Sequence, residues 1–338
     1  MKRILFQLSL FLSTTILLTS CQETEKNVSV NPDLFLTNEA NFTIETIEAT
    51  LSNGIKSLCY KITTIGLSPA DHEVGPWCPE HITDKVDKAG IWFKDGEIYD
   101  VDGKFITELA SLYHDDFWKL YDEKGNVNKT TTKEDCLELS GAQLVEKFKN
   151  YCIECLPEYI AGIKKTYLIP ITPVKLDSPI SLAGKPKGKP GEGPPKNKPK
   201  NRPDGPPPGG KKGPAIRGVA FNGIAFDAPA PTHIILRGYT IPPLDKAGGH
   251  INMDAGYHYH AATGLNTKHI HTDDNHAAMI GYAMDGYGLY EQLNADGREP
   301  QDLDECRGHY DDVRGYHYHV DAPGNNNFIN CFSGAIVQ

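Results

Sequence analysis

The chain has 338 residues, with 34 Lys and Arg against 44 Asp and Glu, which gives a net charge of −10. This acidic balance argues against a bulk nucleic-acid-binding role. The length suffices for about two domains, each able to bury its own core.

The N-terminus has the pattern of an exported lipoprotein. Lys2 and Arg3 precede an apolar run over residues 4–18, which is too short to span a bilayer comfortably. We therefore predict a secretory signal over residues 1–21. The small residues before Cys21 are similar to a bacterial lipobox, so Cys21 is expected to become the lipidated first residue. An ordinary signal peptide with a chance cysteine is the alternative.

The residue after this cysteine bears on location. Gln22 rather than Asp favours the outer membrane, by analogy with other lipoproteins. The expected location is the bacterial cell envelope, with the membrane as a partner through the lipid on Cys21. The sequence leaves open which face of the membrane carries the protein and how many copies assemble.

Residues 22–39 are polar and predict a tether, and residues 40–165 predict an N-terminal domain with mixed α/β signals. In chain order, the patterns predict a strand at 58–62, a turn-rich segment at 75–79 and a hairpin across Asp95-Gly96. Helical spacing links Phe105, Leu109 and Leu112. The same spacing links Leu144, Phe148 and Tyr151, and residues 118–121 have the pattern of a strand followed by a turn.

Seven cysteines follow Cys21, and export would place them in an oxidising compartment, where disulfides are expected. Cys306 and Cys331 lie far from the others in the sequence and are predicted to pair. Cys152 and Cys155 have a redox-like spacing but no thioredoxin-like strand–helix context, which favours structural disulfides. The sequence does not settle the pairing of the remaining five, which are Cys59, Cys78, Cys136, Cys152 and Cys155.

Residues 166–338 predict a β-rich second domain, interrupted by a Pro, Gly and Lys-rich segment at 184–214. This basic segment carries nine Lys and Arg against two acids, and its composition predicts disorder. A solvated loop is the main interpretation, and a contact with anionic lipid or polysaccharide is the alternative. Hairpins are expected at Asn222-Gly223 and Asp285-Gly286, with a strand at 234–236. The expected fold class is α+β.

The C-terminal region repeats one unusual unit. Residues 256–260 read Gly-Tyr-His-Tyr-His, and the same five residues recur at 315–319. Asp245, Gly249 and His250 recur as Asp304, Gly308 and His309, and each element is displaced by 59 residues. We infer an internal duplication. On a strand, alternation puts both histidines of a copy on one face and both tyrosines on the other.

The paired histidines predict a transition-metal site. Neutral imidazole is the commonest protein ligand for Zn and Cu, and two histidines two apart on a strand can bind one ion. No sequence feature separates Zn from Cu. The tyrosines would pack behind the imidazoles and hold them in place. The expected ligands are His250, His258, His260, His309, His317 and His319.

Three other histidines are predicted to have different roles. His269 and His271 are expected to form a separate pair, whereas His276, beside Asp273 and Asp274, is expected at the surface. The alternative to metal binding is a set of hydrogen-bonded structural histidines, with several acids available as partners. Those acids are Asp245, Asp254, Asp304, Asp311 and Asp312.

Two further functions stay open. A metal-dependent hydrolase would use an open coordination position with Asp304 or Glu305, and a metal-free one would use His250 or His309 as a base. No nucleophile elbow, HExxH helix or P-loop supports an enzyme. A carbohydrate-binding or adhesion module would stack sugars on Tyr257, Tyr259, Tyr316 and Tyr318.

These motifs resemble the YHYH-domain family, which is named for the repeated tetrapeptide. The resemblance covers roughly residues 165–335 and rests on the segments 281–286, 304–309 and 316–319. The N-terminal region with the segment 75–79 is similar to that of longer, exported members. The resemblance implies an exported protein with a C-terminal YHYH domain, but it implies no particular chemistry.

Overall fold

A computed structural model describes residues 26, 28–36, 41–66, 69, 71–140, 145–182, 215–265 and 268–338. The predicted signal peptide with Cys21, part of the predicted tether and the basic segment at 184–214 lie outside these residues. None of the helices in the described ranges is long and apolar enough to cross a bilayer.

Up to residue 182 the described chain forms strands and two short α-helices. A three-stranded antiparallel sheet has the order β1-β2-β6, and β3 and β4 form a separate hairpin. The elements are β1 (Phe42–Thr50), β2 (Lys56–Ile65), β3 (Ile91–Lys94), β4 (Glu97–Asp100), α1 (Gly103–Tyr113), α2 (Lys133–Glu138), β5 (Tyr151–Cys152), β6 (Lys164–Pro170) and β7 (Lys175–Ser181).

From residue 215 onward the described chain is mainly β. The elements are β8 (Gly218–Ala220), β9 (Ala225–Phe226), α3 (Thr232–Arg237), β10 (Thr240–Ile241), β11 (Gly249–Asn252), β12 (Gly256–Tyr259), β13 (Met279–Ala283), β14 (Gly288–Tyr290), β15 (Gly308–Asp311), β16 (Gly315–His319) and β17 (Cys331–Gly334). The β-rich character expected from the sequence is confirmed.

Eight of these strands form one sheet with the order β11-β12-β9-β8-β13-β14-β16-β15. Each half of this order contains an inner hairpin (β8–β9 or β13–β14) and an outer hairpin (β11–β12 or β15–β16). The inner and outer hairpins pair in parallel, through β9 with β12 and through β14 with β16. The halves meet at the antiparallel pair β8–β13, so the outer hairpins occupy opposite edges of the sheet.

The predicted turns and the first predicted helix have clear local causes. Asp95 and Gly96 both have positive φ, as a two-residue hairpin turn requires. In α1, the Asp102 side chain caps the helix by accepting from the Phe105 amide. Phe105 and Leu109 then lie on the buried face of the helix.

The apolar core joins early and late parts of the chain. One buried cluster contains Trp77, Cys136 and Ile160 together with Tyr257 and Tyr318 from the large sheet. A second cluster joins α1 and β3 to residues near β10. The region before residue 165 therefore packs directly against the histidine-bearing hairpins. The predicted boundary between residues 165 and 166 stays a prediction.

Three disulfides cross-link the described chain. Cys306 and Cys331 are bonded, which is the pair that the sequence predicted. Cys78 is bonded to Cys152, and Cys136 is bonded to Cys155, so the CxxC cysteines belong to two different bridges. A redox-active Cys152–Cys155 pair is thereby excluded for this state. Cys59 is a buried free thiol.

Three local predictions are wrong. Residues 234–236 lie in α3 rather than in a strand, because the helix places Ile235 and Leu236 against the second buried cluster. Phe148 ends a single 3₁₀ turn, and Tyr151 begins β5, so helical spacing was coincidental there. Residues 118–121 form no strand beyond an isolated bridge between Tyr121 and Val127.

Candidate metal centres

The two sequence repeats form the two outer hairpins of the large sheet, with the same register. His250 lies opposite His258 in the first hairpin, and His309 lies opposite His317 in the second. Directly paired strand residues project to the same face. Each hairpin therefore brings the histidine of its first strand to the two histidines of its second.

The tyrosines project to the opposite, buried face, as alternation predicts. Tyr259 and Tyr318 are 0 % exposed. The Tyr257 hydroxyl donates to Asp245 at 2.7 Å, and the Tyr316 hydroxyl donates to Asp304 at 2.7 Å. Buried tyrosines cannot serve as stacking platforms for sugars, so the expected adhesion surface is absent from these residues.

Asp245 and Asp304 also organise the turn that begins each repeat. The Oδ1 atom of Asp245 accepts from the amides of Ala247 and Gly249, both at 3.0 Å. Asp304 accepts in the same way from Cys306 and Gly308. Asp304 does not belong to the convergent ligand group of the second cluster, and its suggested catalytic role stays a prediction.

The repeated glycine before each first histidine makes room for a tyrosine ring. A Cβ atom at Gly249 would lie 2.3 Å from the Tyr257 hydroxyl, and one at Gly308 would lie 2.2 Å from the Tyr316 hydroxyl. Neither glycine has positive φ. Close packing, rather than backbone conformation, is therefore the reason for glycine at these positions.

The first histidine cluster consists of His250, His258 and His260. The Nε2 atom of His258 lies 3.2 Å from that of His250 and 3.1 Å from that of His260. The three ligand atoms are within 4.8 Å of one another. All three are predicted ligands, and the fold brings them together.

The second histidine cluster consists of His276, His309, His317 and His319. The Nε2 atom of His317 lies 2.9 Å from that of His309 and 2.9 Å from that of His276. His319 completes the group. The six predicted ligands thus divide into two separate clusters of three rather than forming one set.

His276 was wrongly expected at the surface. Its side chain is only 10 % exposed, and it adds a fourth imidazole to the second cluster. The residue lies outside the repeat and directly precedes the β13 region, so periodicity gave no signal for it. The signal that the sequence did offer was its position a few residues before the hairpin expected at Asp285-Gly286.

Hydrogen bonds from Nδ1 fix the orientation of most of these rings. His258 and His317 each direct Nδ1 at the carbonyl two residues before them, at 3.0 and 2.8 Å. The Nδ1 atoms of His260 and His319 face the carbonyls of Ala228 and Glu291. His276 faces the carbonyl of Ala277. A carbonyl can only accept, so the hydrogen of each neutral ring resides on Nδ1.

This tautomer leaves the converging Nε2 atoms as bare acceptors. In the first cluster the facing atoms of His258 and His260 are both without hydrogens, and in the second those of His276 and His317 are as well. Two acceptors about 3 Å apart cannot hydrogen-bond to each other. The Nε2 atom of His319 is buried and has no hydrogen-bond partner. A cation among the nitrogen atoms would satisfy this arrangement.

A proton is a poor candidate for that cation. Burial lowers the pKa of His260 to about 3 and that of His317 to about 3. Burial, reinforced by the neighbouring histidines, lowers the pKa of His319 to about 2. These imidazoles are therefore neutral at physiological pH, which is the state that binds metals.

The spacing of the nitrogen atoms suits a transition-metal ion. A tetrahedral zinc site with the usual Zn–N bond lengths has nitrogen atoms about 3.3 Å apart. The nearest Nε2 pairs, at 2.9–3.2 Å, are close to this value. Imidazole-only donor sets favour Zn or Cu over Ca²⁺. The residues present therefore fit such an ion.

Acidic residues support the second cluster from outside. Asp302 accepts from Nδ1 of His309 at 2.9 Å, which orients this ring as the carbonyls orient the others. Asp311 lies 3.9 Å from Nε2 of His276 and is held by Arg314 at 2.7 Å. Asp302 was not anticipated from the sequence.

The remaining candidates lie elsewhere. His269 faces Glu291 at 3.1 Å, and its ring lies 6.1 Å from that of His271. Among the described residues, neither belongs to a convergent group of three or more ligands. The side chain of Glu305 is exposed, so it shows no engagement with either cluster.

Comparison with known proteins bears on one part of the chain. A family described as YHYH protein matches residues 209–301, which include the first repeat and the start of the second half of the sheet. No curated protein matches the chain, and no solved structure does either.

Proposed function

Starting from the YHYH-family domain that this chain carries, we propose that its function is to bind transition-metal ions, Zn or Cu, at two histidine clusters. The observation that carries the proposal is the convergence of Nε2 atoms that carry no hydrogen. The hydrogen of each of these rings is on Nδ1 and is donated to a carbonyl oxygen. Without a cation, these buried acceptors face one another unsatisfied, at a cost of about 1–3 kcal/mol for each group.

We further propose that the two halves of the large sheet are copies of one duplicated unit. The repeat shares a 59-residue offset in sequence, and the outer hairpins share one register. The inner hairpins extend the similarity, because Asn222-Gly223 and Asp285-Gly286 occupy corresponding turns. Their offset is 63 residues, so an insertion of four separates the two parts of the unit.

We also propose that the chain is a cell-envelope lipoprotein anchored through Cys21, in the outer membrane. The supporting features are the short apolar run and the lipobox-like residues before Cys21. A contact of residues 184–214 with an anionic surface stays a prediction. The three disulfides fit an oxidising compartment.

A metal-dependent hydrolase is the second candidate function. The first cluster supplies three imidazoles, which would leave a tetrahedral ion one open position. The second cluster supplies four, which suits a closed, structural site.

The test is elemental analysis of the mature chain, purified without chelator or His tag. We expect about two equivalents of Zn or Cu, falling to about one in His258→Ala or in His309→Ala/His317→Ala, each of which leaves two imidazoles in its cluster, and to near zero when all three substitutions are combined. His233→Ala, which removes an exposed histidine outside both clusters, is the matched control and is expected to retain two. A wild-type chain that takes up no ion, even after incubation with Zn or Cu, would refute the proposal.

A further inference from the structure

The first histidine cluster forms part of the wall of a cavity of about 270 Å³. All three of its histidines line this cavity, which also extends to α3 and to the segment around the Cys136–Cys155 disulfide. The volume is near the lower end of the usual range for small-molecule sites, about 300 Å³. An ion held by the three imidazoles would therefore lie beside this cavity.

Away from the histidines the cavity wall is mainly aliphatic. The side chains come from the N-terminal region on one side and from the segment containing α3 on the other. They include Leu139, Val145, Ile153, Pro231, Ile234 and Ile235. Such a wall favours a ligand with an apolar body over one that is strongly polar throughout.

A few polar side chains also line the cavity, among them Asp227, Thr240 and Asn252. Asp227 lines the cavity, and its Oδ1 accepts from the Ala228 amide at 2.6 Å. Its oxygen atoms do not belong to the convergent ligand group. A divalent ion among three neutral imidazoles would give this part of the cavity a positive charge, and the Asp227 carboxylate, which also interacts with the buried Arg217, offsets that charge only in part. A monoanionic ligand at the open coordination position would therefore be favoured over a neutral one in this largely apolar space.

We propose that the ion in the first cluster binds a small monocarboxylate with an apolar body. The carboxylate would occupy the open coordination position, and the body would occupy the aliphatic part of the cavity. This inference rests on the proposed metal-binding function. The second cluster, with its fourth imidazole, has no corresponding open position.

The test is calorimetric titration of the Zn-loaded full chain with phenylacetate, acetate and benzyl alcohol, after its metal content has been measured. We expect phenylacetate to bind at least tenfold more tightly than acetate, which lacks the body, and benzyl alcohol, which lacks the charge. The preference is expected to disappear after chelation and in His258→Ala, and to persist in His317→Ala.

Variants of the cavity wall separate ligand binding from metal binding. Ile234→Trp fills the aliphatic end and is expected to weaken phenylacetate at least tenfold with unchanged metal content, whereas Ile234→Val retains tight binding. Full metal content with no preference for phenylacetate over acetate would overturn this inference alone. Equal phenylacetate binding in the chelated chain would also overturn it. Absence of metal from the first cluster would overturn the proposed function with it.

Discussion

At the residue scale, the orientation of most of the clustered imidazoles follows from the hydrogen-bond partner of Nδ1. Carbonyl groups hold His258, His260, His317 and His319 with Nε2 directed inward, and Asp302 holds His309. The carbonyls that hold His258 and His317 belong to the same strands as these histidines, so the strand itself sets the orientation of those two rings. Such outer contacts commonly fix the tautomer and the basicity of metal-ligating histidines.

Behind the histidines, the two halves of the sheet differ at one corresponding position. Asn222 donates to the Tyr259 hydroxyl at 2.8 Å, whereas Asp285 accepts from the Tyr318 hydroxyl at 2.6 Å. Burial raises the pKa of Asp285 to about 6. The folded chain therefore holds a proton here more tightly than the unfolded chain does, and stability is lost as the pH rises from about 4 to 6.

Replacement of this carboxyl is expected to remove that pH dependence. Relative to wild type, the free energy of unfolding of Asp285→Asn is expected to rise between pH 4 and pH 7, by at most about 3 kcal/mol. Urea denaturation of the metal-free chain under non-reducing conditions measures this free energy of unfolding. The reciprocal variant Asn222→Asp is expected to lose stability as the pH rises, as the wild-type chain does at Asp285. A difference between Asp285→Asn and wild type that does not vary with pH would contradict the account.

At the element scale, each outer hairpin combines a histidine face and a tyrosine face through close packing at one glycine. Gly249 and Gly308 lie against tyrosine hydroxyls that are themselves bonded to Asp245 and Asp304. The shared geometry of the two hairpins therefore depends on Asp, Gly, Tyr and His at corresponding positions. Loss of any one of them is expected to displace the strand that carries the first histidine.

A methyl group at either glycine is expected to disrupt this packing. We expect Gly249→Ala and Gly308→Ala each to destabilise the fold by about 1–3 kcal/mol and to weaken metal binding at the adjoining cluster. Gly162→Ala is the matched control, because a Cβ there meets no atom within 4 Å. The measurements are urea denaturation and zinc titration. Equal free energies of unfolding for Gly249→Ala, Gly308→Ala and Gly162→Ala would contradict this explanation.

The sequence predicted these hairpins better than it predicted their surroundings. Alternation of Tyr and His specified two faces, and it correctly placed the tyrosines in the core. The 59-residue repeat could not show that the ligands divide between opposite sheet edges, because strand order is not encoded locally. It also missed His276, which reaches the second cluster only through tertiary packing. In α3, tertiary packing overrode the β preference of Ile234 and Ile235.

At the scale of the whole molecule, the N-terminal region makes the two histidine clusters unequal. Its residues line the cavity beside the first cluster, and its Trp77 indole donates to the Gly249 carbonyl of β11. The sequence separated this region from the YHYH domain at residue 165, but the buried clusters include residues from both sides. Composition and periodicity cannot reveal such cross-packing.

The proposed anchor is a property of the whole chain and can be tested in cells. We expect the wild-type chain to fractionate with membranes and to incorporate labelled palmitate, and Cys21→Ser to lose both properties. Cys59→Ser, which changes a buried thiol, is the control and is expected to keep both. Equal membrane association and labelling of Cys21→Ser and wild type would contradict the lipoprotein assignment.

The most direct test of the account is a crystal structure of the mature chain grown with Zn, with anomalous diffraction data collected on both sides of the zinc edge. We predict two anomalous peaks, one bonded to Nε2 of His250, His258 and His260, and one bonded to Nε2 of His276, His309, His317 and His319. Both would lie about 2.0–2.1 Å from their nitrogen atoms. Ordered imidazole clusters without an anomalous peak, in crystals equilibrated with excess Zn, would contradict two zinc centres. The same measurement at the copper edge, on crystals grown with Cu, would then test copper.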